Sequence, residues 1–377
     1  MPLPSLFSRA ALFALVFFVV LLPACKEEED TPEPTPGSAN TCFQTLVLDE
    51  DLSVCEPSPN DYQPRSGNTH WPACISDGAP GQYQAINPND VSTMTRVAAF
   101  GEMAGLLWNN PNAPSKEDFI NARAVYSRDE GLDSRLQRRE DVHFAVLPDC
   151  KRCNQVDSAV MQQHADRCTG PVKLARIVNE AFEKGIRGEN PRAQAQKIEA
   201  TLLWFFYLSS LSEVQTCANE SKNCDSAWAY YTGGTARHAP AGLAAYVKGT
   251  QLHEQAYDAA LAVRCWRDLD LAPFASNIEL QYRALKQYDK ALIRVLTHVL
   301  RQKVVEWEGS LGSLDAENSL SRQAFVQTLF GLMETGVIQK SSPRLQELKG
   351  LIESPSPNAA TVGKMNELMD EVFPCAD

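Results

Sequence analysis

Apolar residues recur along most of this chain at three- and four-residue intervals, the spacing of helices that turn one face to a core. No run of useful length shows the every-second-residue alternation of a half-buried strand. The densest apolar run lies between Ala195 and Leu211. Ala195, Ile198, Leu202, Phe205, Phe206 and Ser209 share one helical face, with Leu203, Trp204, Tyr207, Leu208 and Leu211 on its flanks. A helix apolar around most of its circumference has to be covered on most sides. The run is shorter than the roughly 20 residues a bilayer span needs, so it is placed at the centre of a helical bundle. Cys217 and Cys224 bracket a polar loop after it, Asp225 stands near the start of the short segment Ser226 to Tyr231, and Gly233 and Gly234 end that segment, as a helix ends where a left-handed residue is required.

The same spacing predicts further helices on both sides. Asp90 caps one carrying Met94, Val97, Ala98, Gly101, Gly105 and Trp108 on a stripe, which Asn109-Asn110-Pro111 stops. Ser115 and Asp118 form a capping-box pattern ahead of Phe119, Ala122 and Tyr126. Pro171 opens an amphipathic helix with Leu174, Ile177, Val178, Ala181 and Phe182 in register. A single helix carries Leu243, Tyr246, Val247, Thr250, Tyr257, Ala260, Leu261 and Arg264, with Cys265 at its end. A long one spans about Asn277 to Glu308, and others Ala316–Met333, Leu345–Ile352 and Val362–Phe373. The fold class is therefore all-α, a helical bundle or stacked helix pairs.

The first quarter of the chain reads differently. Arg9, the apolar stretch Ala10–Leu22 and Leu22-Pro23-Ala24-Cys25 have the order of an export signal ending in a lipobox-like tetrapeptide, so residues 1–24 are expected to be removed and Cys25 to carry lipid. Residues 25–40 are acidic and rich in Pro, Ser and Thr, the composition of a tether. Lys26 and Glu27 stand where inner-membrane lipoproteins carry a retention signal with Asp, so the expected place is the outer membrane, facing the periplasm or the cell surface. Residues 41–90, rich in Pro, Asn, Ser and Gly with three cysteines, read as an irregular, disulfide-linked cap, and 91–377 as the helical domain.

Composition narrows the partners. A net charge of -12 argues against nucleic acid and is compatible with a cation. Beside Cys25, an even set of cysteines remains (Cys42, Cys55, Cys74, Cys150, Cys153, Cys168, Cys217, Cys224, Cys265 and Cys375), which in an exported chain reads as up to five disulfides.

No nucleophile and base are placed together by any motif, and no catalytic residue is assigned, so the chain reads as a non-enzyme. Two sets of residues are candidate metal ligands. Cys150, Cys153, His164 and Cys168 have the spacing of a zinc site, against which the oxidising compartment weighs; disulfides are the competing reading, with the two close cysteines joined to different partners. A hard cation would instead use Glu213, at the end of the central helix, and Asp225, at the start of the next, with Tyr230, Tyr231 and His253 nearby. Each has a plainer reading: Asp225 favours a helix start through the dipole alone, and His253 lies on an apolar helix face where a histidine is most often a hydrogen-bonded core residue.

The runs FINARAVYSRDEGLDSRL from Phe119, IVNEAFEKGI from Ile177, and above all DSAWAYYTGG from Asp225, followed by LIRVLTHVLRQKV from Leu292 and RQAFVQTLFGLM from Arg322, resemble the low-iron-inducible periplasmic proteins of green algae and their bacterial relatives. The likeness covers roughly Asp118 to Phe373. It implies an all-helical extracytoplasmic protein that assists iron assimilation and is not an enzyme. The cysteine-rich first part and the CKRC insertion depart from that pattern, and the GxHxxE motif of the imelysin group is absent. The expectation is a membrane-tethered lipoprotein that binds iron. The alternative is a scaffold lipoprotein whose helices bind another envelope protein without metal.

Overall fold

A computed structural model describes residues 92–128, 131–234, 241–268, 277–311, 316–336, 343–355 and 357–375, and within the first part residues 42, 45–46, 55–63, 83 and 85. The proposed signal, tether and lipidated Cys25, most of the cap, and Cys74 lie outside the described residues. Twelve α-helices are described: α1 Thr93–Leu106, α2 Lys116–Tyr126, α3 Leu132–Gln137, α4 Ser158–Gln163, α5 Ala175–Ile186, α6 Pro191–Thr216, α7 Lys222–Thr232, α8 Gln251–Asp268, α9 Ile278–Leu311, α10 Ala316–Gly336, α11 Pro343–Ile352 and α12 Ala359–Val372. Among the described residues there is no strand, and the fold is all-α.

The central run forms α6. Asn190 stands in the left-handed region at φ 47° and turns the chain into the helix, which Pro191 opens with its fixed φ. From Ala193 to Leu211 nearly every side chain is buried, because α5, α7, α9 and α10 cover α6 on successive sides. The long helix α9 packs in turn against α8, α10 and α12, so α6 and α9 are the two axes of one core. Ser115 and Asp118 form the anticipated capping box at the start of α2, the hydroxyl accepting from the Asp118 amide at 3.2 Å and the carboxylate from the Ser115 amide at 2.8 Å. Gly233 ends α7 at φ 80°.

Two expected helices differ. The buried face of α1 carries Val97, Ala99, Phe100, Met103 and Ala104, while Ala98, Gly101 and Gly105 face solvent. The large side chains decide the rotation: Phe100 meets the Phe206 ring edge-on at 5.1 Å, a contact small residues cannot replace. The helix expected from Leu243 to Arg264 is broken. A 3-10 stretch, Gly242–Val247, precedes α8, and Gly249 at φ 81° separates them. The short α3 and α4 carry too few apolar residues to show a period.

Among the described residues four disulfides join Cys42 to Cys150, Cys55 to Cys375, Cys153 to Cys168 and Cys217 to Cys224. Cys150 and Cys153 do take different partners, and the first segment is disulfide-linked to the helical body. That segment is also hydrogen-bonded to α9: Asp61 Oδ2 accepts from Lys290 Nζ at 2.9 Å in a buried pair, and the Gln287 amide bonds both backbone groups of Tyr62, at 2.8 and 2.9 Å.

Candidate functional site

Between α3 and α4 the chain has no α-helix, only two 3-10 turns at Pro148–Cys150 and Cys153–Gln155, and the segment ahead of them brings charge to the seam of α6 and α9. It is held from several sides. The Asp141 amide donates to the Arg167 carbonyl at 2.8 Å, and the Gly170 amide to the Arg139 carbonyl at 2.9 Å. The Arg167 guanidinium closes a fork on Glu140 Oε2 at 2.9 and 2.7 Å and donates to the carbonyls of Asp141 and Phe144. A Cβ on Gly170 would stand 2.2 Å from the Leu136 carbonyl oxygen, so only glycine lets the start of the following π-helical turn approach this closely.

The segment delivers Asp141 and His143 to Tyr207, midway along α6, and Asp289 on α9. All four are buried, Tyr207 and Asp289 completely. The His143 ring donates from Nδ1 to Asp141 Oδ1 at 2.7 Å and from Nε2 to Asp289 Oδ2 at 3.1 Å. Tyr207 Oη donates to the other oxygen, Asp289 Oδ1, at 2.5 Å and lies 3.3 Å from His143 Nε2. Burial alone would lower the imidazole's pKa, but Asp289 and Asp141 outweigh it and hold it up at about 10. Burial, then Asp289, pushes the Tyr207 phenol well above its ordinary value. At neutral pH the cluster is an imidazolium between two carboxylates with a protonated phenol. It carries one negative charge in excess, and burial closes it to a diffusing substrate.

The residues singled out from sequence fall into three separate arrangements. Glu213 faces Arg139 at 3.7 Å, and the same guanidinium lies 5.7 Å from the centre of the Tyr230 ring. Asp225 is buried in the first turn of α7 and accepts from Tyr83 Oη at 2.8 Å, while Tyr83 stacks on Trp228 at 4.9 Å. Tyr231 Oη is hydrogen-bonded to His253 Nδ1 at 2.9 Å, so His253 is the bonded core histidine of the plainer reading. Among the described residues no three His, Cys, Asp or Glu side chains converge as a metal cage, and Glu213, Asp225 and His253 do not form one. The zinc alternative is corrected by chemistry: Cys150, Cys153 and Cys168 are oxidised to disulfides, which removes three of the four ligands and leaves His164 alone at the end of α4.

Sequence reasoning missed the cluster because no local motif carries it. His143 is 64 residues from Tyr207 and 146 from Asp289. The available signals were an aspartate within the inward-facing run of α9 and the Asp-Val-His step at 141–143, where the Asp141 side chain also accepts from the His143 amide at 3.0 Å. No protein-family model, no curated protein and no solved structure matches the chain.

Proposed function

We propose that the protein is a membrane-tethered extracytoplasmic lipoprotein that binds a metal cation without an enzymatic step, iron being the cation that the family resemblance implies. Four disulfides support the compartment, since such bonds persist where thiols are oxidised. The tether and the lipid on Cys25 follow from the first 40 residues of the sequence.

The observation that carries the cation reading is the Asp141–His143–Asp289–Tyr207 cluster. Two carboxylates against one imidazolium leave uncompensated negative charge in the core, an expensive arrangement that a bound cation offsets. The test is elemental analysis of the soluble chain from Asn40 to Asp377, purified oxidised from a periplasm. Close to one equivalent of metal per chain is expected. Metal-free protein that co-purifies with an envelope protein would turn the reading to the scaffold role.

A further inference from the structure

The geometry points to a ferric site built from His143 Nε2, Tyr207 Oη and the Asp289 carboxylate, with Asp141 as the positioning residue behind the imidazole. This rests on the cation reading and supplies its ligands, which are none of the residues that the sequence had suggested.

The three side chains come from α6, α9 and the segment after α3, and each already stands within hydrogen-bond distance of the other two. Oη is 2.5 Å from Asp289 Oδ1, Oδ2 is 3.1 Å from Nε2, and Nε2 is 3.3 Å from Oη. Ligands at about 2.1 Å from one ion and at right angles to each other stand roughly 3 Å apart, so His143 Nε2 already stands at the spacing of a neighbouring ligand from both Asp289 Oδ2 and Tyr207 Oη. Tyr207 Oη stands closer to the other carboxylate oxygen, Oδ1, to which it donates. Asp141 lies on the opposite edge of the ring, where it holds Nδ1–H at 2.7 Å and leaves Nε2 to face the other two donors. That is the carboxylate–histidine arrangement found behind metal-bound imidazoles.

Charge selects the ion. A metal-bound imidazole offers the Nε2 lone pair as the neutral ring, and a metal-bound tyrosine binds as the phenolate. The four side chains then carry three negative charges, on Asp141, Asp289 and the phenolate. A trivalent ion leaves the buried cluster neutral, whereas a divalent ion leaves one negative charge unmatched. Oxygen donors and imidazole are also ligands that iron accepts.

The fold accounts for the enclosure. The segment after α3 is fastened by the Arg167 fork on Glu140 and by Cys153–Cys168 and Cys42–Cys150 on its far side. Entry requires this segment to lift from α6 and α9, so loading is expected to be slow and the bound ion slow to leave.

The test incubates the oxidised chain from Asn40 to Asp377 with ferric citrate, desalts it, and measures iron per chain together with the visible absorption of a phenolate-to-ferric charge-transfer band. The expected result is about one iron per chain with a visible band. In Tyr207→Phe, which keeps the ring and removes only the ligand oxygen, the band is lost. Asp141→Asn should keep the band and bind about ten- to a hundredfold more weakly. Circular dichroism shows whether each variant is folded, and the wild-type band decides the matter if one is not. Iron bound without a phenolate band, or with a band that Tyr207→Phe leaves intact, overturns this site and spares the cation reading. No iron in the wild type overturns the site. If elemental analysis also finds no other metal, the cation reading falls with it.

Discussion

Tyr207 and Asp289 meet across the seam of the two central helices, the phenol donating to the carboxylate at 2.5 Å with neither side chain exposed. The pair ties α6 to α9 at mid-length, and His143 shares the same carboxylate. Removing Asp289 leaves an imidazolium with one carboxylate partner and a phenol with none. Asp289→Ala should therefore cost about 3–5 kcal/mol of stability, and Tyr207→Phe, which deletes one hydrogen bond, about 1–2 kcal/mol. Urea unfolding of the metal-free protein measures both. Equal and negligible losses would mean that the cluster does not brace the seam.

Glu199 provides a pH dependence separate from that cluster. Its carboxylate is buried on α6, accepting from Tyr246 Oη at 2.7 Å and Gln196 Nε2 at 2.6 Å. Burial raises its pKa, outweighing Lys303 and the two hydrogen bonds that favour the ion. A folded pKa above the unfolded one contributes stability that is fully present below the ordinary carboxylate value and is lost as pH rises through the folded value. Glu199→Gln should abolish that loss: compared with the variant, the wild type loses stability as pH rises above the ordinary carboxylate value. Parallel stability–pH curves for the two proteins would contradict this.

Gly185 on α5 permits the close approach of α2. A Cβ there would lie 2.3 Å from Cε1 of the buried Phe119 ring. Gly185→Ala should destabilise by about 1–3 kcal/mol through overpacking, although alanine is the better helix former. A stabilised variant in a thermal melt would show that the ring can move aside.

Cys55 and Cys375 are separated by 320 positions, so their bond closes nearly the whole described chain into one loop. Replacing both by alanine should cost about 2–5 kcal/mol, with the first segment's bonds to Lys290 and Gln287 weakened in turn. The even set of cysteines also predicts that the unfolded, unreduced chain from Asn40 takes up no alkylating reagent. An alkylated cysteine in its mass spectrum would contradict that count.

The sequence was most informative where one side chain pattern decides one element. The capping box at Ser115 and Asp118, the Gly233 terminus and the existence of α9 to α12 depend on neighbours within a few residues and appear as expected, although α9 and α10 run about a turn beyond their expected ends. The rotation of α1 was not legible, because a stripe of small residues and a stripe containing Phe100 and Met103 both satisfy a helical period, and only the Phe206 ring on α6 chooses between them. The site was hidden for the same reason on a larger scale. Asp289 appears in sequence as one of many polar residues in an amphipathic helix, Tyr207 as one more aromatic in the core run, and His143 as part of a loop. Their meaning arises only when α6, α9 and the segment after α3 meet. Asp225, Tyr231 and His253 were conspicuous by type, yet Asp225 is already engaged by Tyr83, and Tyr231 and His253 by each other.

The most direct test of the ferric site is the urea unfolding midpoint of the wild type and of Tyr207→Phe, each with and without excess ferric citrate. An ion that binds only the folded chain adds about 2.7 kcal/mol when present at a hundred times its dissociation constant. The site predicts that iron raises the wild-type midpoint and leaves that of Tyr207→Phe where it was. Midpoints that both rise equally, or that both stay fixed, would contradict it.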